Sequence, residues 1–307
     1  KLNLGSVVSG IDIGERSELP FDLIIAADIR GTGGINKTNS GTLLLSGNNT
    51  YSGDTVLTGG ALAAGSNTAF GASRVRLPTT GTSLAGVGGA RELSNEFYFS
   101  GATALGTTIN LGGSSTLGGG GNNLKLTGPA NLSGGITTLN VPVAATVEFA
   151  GGLGEVYAAS ALNKAGFGTL VLSADSPYSG PTTIAPAGGT IVLSENGAAR
   201  NTAITVNPGG VLQVGDFATV ANPGDRLGDN IPVTLAGGTL ALAGRAGGAT
   251  TESLSLTLAA GTASTVQSLA GPGSSATTRI GNFARNPGAF VDFQGLGTDL
   301  GDATANR

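Results

Sequence analysis

Residues Asn163–Leu193 read NKAGFGTLVLSADSPYSGPTTIAPAGGTIVL, and the same pattern occurs earlier as Asn36–Ala64, NKTNSGTLLLSGNNTYSGDTVLTGGALAA. Asn36-Lys37 matches Asn163-Lys164, Gly41-Thr42-Leu43 matches Gly168-Thr169-Leu170, and Tyr51-Ser52-Gly53 matches Tyr178-Ser179-Gly180. Gly59-Gly60 then falls on Gly188-Gly189 after a two-residue insertion. A self-match of this length indicates a repeat architecture. Inside each copy, short alternating segments such as Thr42–Leu45, Thr55–Thr58 and Ala61–Ala64 lie between glycines. Strands this short cannot bury a core alone. They can when each coil of chain lies on the next and every strand pairs with its counterpart one coil away. Gly168, Gly189 and Gly210 recur every 21 residues, and Gly41 to Gly60 is 19. That spacing suits one coil of a β-solenoid. Gly210 to Gly238 is 28, so this coil is expected to carry an extra loop around Asn222–Asn230.

The composition agrees. The 307 residues include 55 glycines without a collagen period, and 39 % are hydrophobic, too many for a disordered linker. Charged residues are only 11 %, so the surface must be largely Thr, Ser, Asn and Gly. No amphipathic helical run stands out. The net charge of −4 and the scattered Lys and Arg leave no basic footprint for nucleic acid. No apolar run reaches the ~18 residues that would span a bilayer. The absence of cysteine excludes disulfides and thiol chemistry. The chain starts inside a strand-like segment and stops without an ending motif, and is expected to be a fragment of something longer.

The remaining segments alternate in the same way. Val75 and Leu77 are expected inward with Arg74 and Arg76 outward, and Leu254, Leu256 and Leu258 should enter the core between Ser253, Ser255 and Thr257. In Phe97-Tyr98-Phe99 the three rings cannot share a face. With Phe97 and Phe99 in the core, Tyr98 points out. No linker or composition break is visible, so residues 1–307 read as one domain. At ~22 residues per coil this makes roughly 14 rungs of about 20–25 residues.

Gly-Thr-Leu-x-Leu-Ser, then Tyr-Ser-Gly-x-Thr, then Gly-Gly-Thr-Leu resembles the autotransporter-associated β-strand repeat of bacterial passenger regions. Asp225–Asp229 (DRLGD), Val233–Leu242 (VTLAGGTLAL) and Glu252–Val266 resemble segments that follow such repeats in long bacterial extracellular proteins. The resemblance covers roughly two thirds of the chain. It implies an all-β, right-handed parallel β-helix, an extracellular or bacterial cell-surface location, and a stalk-like or adhesive role. The motifs carry a fold and bring no catalytic residues with them.

Chemistry is sparse. With no histidine, the commonest general base is missing, as are His-based triads and metal sites. Gly118–Leu124 touches a calcium-binding nonapeptide pattern but lacks its Asp. No cofactor, metal or catalytic residue is expected. Asp225, Arg226 and Asp229 are the best acid–base candidates, set against a reading as turn-capping Asx residues. Asn36, Asn48 and Asn131 stand in Asn-x-Ser/Thr and read as turn residues or as ladders between coils. Three tyrosines are candidate surface contacts. Tyr51 and Tyr178 could stack on a sugar ring, against a structural reading in which the ring covers a turn and its hydroxyl reaches solvent. Tyr98 is the best single residue for contact with another chain. The expected function is therefore a non-catalytic structural or adhesive extracellular protein, a rod-like stalk or a fibre former. Self-association and a glycan, host or matrix surface are its expected partners. The alternative is a polysaccharide-binding module or polysaccharide-degrading enzyme on the same scaffold.

Overall fold

The computed structural model describes residues 1–16, 19–99, 107–111, 123–217, 225–271 and 273–296, with backbone alone for 107–111 and 296. Every described element is a β-strand; among the described residues there is no helix, and so none long and apolar enough to cross a membrane. The fold is a β-solenoid of stacked parallel sheets. The glycine run 118–124 lies mostly outside the described residues, as do 222–224 of the expected extra loop. Although the sequence shows no boundary, the contacts divide the chain into two compact units, Lys1–Ser160 and Ala161–Arg307.

The winding makes about 11 turns, not 14. A single coil length underestimates the real ones. Leu43 lies opposite Leu62, 19 residues on, whereas Phe97 lies opposite Ala130, 33 residues on. Strand pairing fixes only the strand segments, so turns can lengthen without disturbing the stack.

In the first unit one sheet runs from Leu23–Ile25 through Thr42–Leu45 and Ala61–Ala64 to Ile136–Asn140. A second runs from Ser9–Asp12 through Thr55–Leu57 and Phe97–Phe99 to Leu153–Glu155, and a third joins Arg91–Leu93, Leu124–Leu126 and Thr146–Phe149. In the second unit two sheets alternate along the chain. One runs from Ala161–Ala165 to Ser275–Arg285 and the other from Thr169–Leu172 to Phe290–Leu296.

Register turns the alternation of the sequence into columns. Leu170, Ile191, Leu212, Leu240 and Val266 lie one above another, all buried. Leu254, Leu256 and Leu258 are at most 2 % exposed, and Phe97 and Phe99 are fully buried, as the alternation predicts. Burying such a side chain is worth about 1.5–3 kcal/mol. One outward column is wholly polar: Thr183, Thr205, Thr234 and Thr257 form a ladder. This is where the scarcity of charge is made up.

The repeated glycine is required by close approach as well as by conformation. Gly60 has φ +67° and Gly189 φ +64°, and a Cβ on either would run into the carbonyl oxygen of the glycine one coil below, Gly41 or Gly168. Gly189→Ala is expected to cost about 2–3 kcal/mol, the left-handed penalty plus displacement of a backbone carbonyl. Gly247→Ala is the control. It shares the positive φ (+71°) with open space around it, and should cost only about 1 kcal/mol. Urea unfolding followed by tyrosine fluorescence separates the two; equal costs would mean that the close stacking contributes nothing.

Candidate functional site

The matched side chains of the two repeats point into the solenoid. Tyr51 and Tyr178 are at most 1 % exposed, which removes both from the candidate surface contacts and also corrects the expectation that their hydroxyls reach solvent. Each hydroxyl instead lies 2.6 Å from the threonine four residues on, Thr55 or Thr182. That threonine hydroxyl in turn lies within 2.8–2.9 Å of a hydroxyl one coil further, Ser73 or Thr202. Burial pushes both phenols up to about 12. The Tyr-Ser-Gly-x-Thr motif is thus an internal hydrogen-bonded strut: the Tyr–Thr spacing of four brings two hydroxyls together, and the Thr passes the bond to the next coil.

Lys37 and Lys164 are the second shared feature. Both are fully buried, with the aliphatic stem in an inward column beside Leu57 or Ile184. The Lys164 ammonium donates to the carbonyl oxygens of Ala165, Gly166 and Gly188 at 2.7–2.9 Å. Lys37 donates to Thr38, Asn39 and Gly59 at 2.8–3.0 Å. All three ammonium donors are used, and the acceptors come from two successive turns. Burial pushes Lys164 down to about 8 and Lys37 in the same direction. Neither lysine drew attention in the sequence, although Asn-Lys opening both copies was a signal.

The acidic corner is also structural. Arg226 is 1 % exposed, and its guanidinium donates to the carbonyls of Glu195 and Gly197 at 2.6 Å. The buried carboxylate of Glu252 accepts from the backbone N–H of Arg226 and of Leu227 at 2.8–3.2 Å. Asp225 lies 3.6 Å from Arg200, which also holds Asp175 at 2.8 Å. Asp229 lines a shallow groove of about 470 Å³ with Arg279 and Asn282. Arg226 cannot meet a substrate, so the structure does not assemble Asp225, Arg226 and Asp229 into one accessible acid–base site. Among the described residues no cluster of three metal-ligating side chains occurs.

Glu252 makes this corner pH-sensitive. Burial raises its carboxyl from 4.5 to about 7, against the pull of the two N–H donors. The folded state then binds the proton more tightly than the unfolded chain. Stability should fall as pH rises from about 4.5 to about 7, by on the order of 3 kcal/mol at most. Thermal melts from pH 5 to 8 should show the drop in the wild type and a flat profile in Glu252→Gln. A wild-type profile rising with pH would contradict the assignment.

Tyr98 alone of the three tyrosines faces outward. Its hydroxyl donates to Glu96 at 2.8 Å, and the Arg76 guanidinium lies 5.8 Å from its ring centroid. Arg74 and Arg76 share Asp54 at 3.0 and 3.5 Å. Arg76, Tyr98, Asn131 and Gly154 are consecutive in register. Asn36, Asn48 and Asn131 form no asparagine ladder: Asn48 receives the Thr68 hydroxyl, and Asn131 stands between Tyr98 and Gly154. Asn49 links three coils, accepting from Ile29 N–H at 2.8 Å and donating to the Ala69 carbonyl at 2.6 Å.

The family model described as the passenger-associated-transport-repeat matches residues 35–64 and 162–193, the two copies in which these struts occur. The chain is also similar to a protein named adhesin BmaC autotransporter from Brucella suis biovar 1 (strain 1330), 33 % identical over 138 residues, 38 % of this chain. The chain spans about 4 % of the length of that relative. No solved structure matches it.

Proposed function

We propose that this autotransporter-passenger repeat protein is a secreted, cell-surface adhesive protein without catalytic activity, whose coils form a scaffold that displays its lateral faces. One observation carries the reading. The Tyr and Lys shared by the two repeats are spent inside, holding coil to coil, while several outward positions differ, Ser40 against Phe167, Asp54 against Pro181 and Val56 against Thr183, beside others that are kept, Asn36/Asn163, Thr42/Thr169 and Ser52/Ser179. An interior held constant under an exterior that changes in places suits recognition, because function lies in sites carried on a fold. The adhesin likeness supports it. Beads coated with the chain should stay on cultured mammalian cells or matrix-coated plates under flow, beyond albumin-coated beads, and the chain should release no reducing ends from polysaccharides. Retention equal to albumin overturns the adhesive reading; released sugar overturns the non-catalytic one.

A further inference from the structure

We infer that the outward face built from Arg76, Tyr98 and Asn131 in the first unit binds a neutral polysaccharide; this names the ligand class for the adhesive reading above and rests on it.

The face is stiff before any ligand arrives. Tyr98 stands between Phe97 and Phe99, both fully buried, stacked at 6.2 Å, with Phe99 edge-on to Phe149 at 5.8 Å. The backbone of Tyr98 is therefore anchored on both sides. Its ring is held from outside by the Glu96 carboxylate and the Arg76 guanidinium. An aromatic plate already ordered in this way gives contact area at little entropic cost.

Charge decides the ligand class. Arg74 and Arg76 are balanced by Asp54, which pairs with both, and by Glu96, which holds Tyr98. Two cations against two carboxylates leave no net field to draw an anionic glycan, sulfate or nucleic acid. What remains is a half-buried ring with the Arg76 guanidinium over it, the Glu96 carboxylate at its hydroxyl and the Asn131 amide next in register. A sugar ring matches this arrangement, with C–H groups on its face and hydroxyls around its rim that both donate and accept.

Geometry supports a polymer over a single sugar. Arg76, Tyr98 and Asn131 occupy successive coils in register, at about 4.8 Å per step, close to the length of one sugar unit. The next position is Gly154, where an added Cβ would meet the Asn131 Oδ1 at 3.2 Å. The missing side chain lets the Asn131 amide lean over the coil of Gly154. An exposed aromatic side chain of the second unit, Phe167, serves as a control.

The test is affinity electrophoresis of the full chain through gels holding galactomannan, xyloglucan or hydroxyethylcellulose, with heparin and dextran sulfate as anionic comparisons. The wild type should be retarded by at least one neutral polymer and by neither anionic one. Tyr98→Ala should weaken binding about tenfold or more and Asn131→Ala less, while Phe167→Ala leaves it unchanged. Unfolding midpoints check that each variant is folded, and Tyr98→Phe, which keeps the ring, should retain most of the retardation. Migration unaffected by every neutral polymer, a preference for the anionic ones, or undiminished binding by folded Tyr98→Ala each overturns the inference. If coated beads still adhere in that case, the site fails and the adhesive reading survives; if they do not, both fail.

Discussion

Arg226→Ala should destabilise the second unit by about 3–5 kcal/mol, the largest effect expected of any substitution considered. The guanidinium donates at 2.6 Å to the carbonyl of Gly197, which is buried, and to that of Glu195, which is part-buried. A bond from a charged donor contributes about 1.5–3 kcal/mol, and removing it leaves the acceptors buried without it. The same change takes a positive charge away from the buried Glu252, whose carboxyl already titrates near 7. The two lost guanidinium bonds together account for about 3–5 kcal/mol. Urea unfolding measures the loss. Arg226→Ala combined with Glu252→Gln should recover part of it, since the uncompensated carboxylate is gone. A double variant no better than the single one would show that the carbonyl contacts alone set the cost, and an Arg226→Ala protein as stable as the wild type would reduce the corner to a solvated loop.

Lys164→Met keeps the length and apolar stem of the side chain and removes its ammonium. Two effects oppose each other. The charge costs energy to bury: a pKa pushed from 10.5 to about 8 corresponds to roughly 3 kcal/mol. The three carbonyls that accept its protons return roughly 5–9 kcal/mol at the strength of charged hydrogen bonds. The contacts win, so Lys164→Met should lose at least about 2 kcal/mol at pH 7. Lys37→Met should behave alike, because its three acceptors stand at equivalent positions of the other repeat. A methionine variant more stable than the wild type would mean that desolvation dominates and the lysine is not a staple.

These two sites show where sequence reading reaches and where it stops. The repeat, the parallel coils and the inward leucines were legible because period-two alternation and glycine spacing report directly on which face is buried. Phe97, Tyr98 and Phe99 sorted themselves by the same rule. Tyr51 and Tyr178 misled because Ser-Gly after an aromatic looks like an exposed turn. The better signal was the threonine four residues on in both copies. Lys37 and Lys164 were hidden by the general expectation that lysine is solvated; only a structure shows three carbonyls converging on each ammonium. Arg226 and Glu252 are 26 residues apart, one coil, and coil length varies too much for local spacing to pair them. The same variation explains the overcount of turns.

Successive coils of the solenoid stack in parallel and in register. The chain has no cysteine, so engineered pairs report on it cleanly. Adjacent parallel strands lie about 4.8 Å apart, within reach of a disulfide. Under mild oxidation, Thr183→Cys with Thr205→Cys, Thr205→Cys with Thr234→Cys, and Thr234→Cys with Thr257→Cys should each cross-link, because each pair is in register. Thr183→Cys with Thr234→Cys, two coils apart, should stay reduced. Cross-linking of that distant pair together with failure of the three adjacent ones would contradict the stacked winding on which every other conclusion depends.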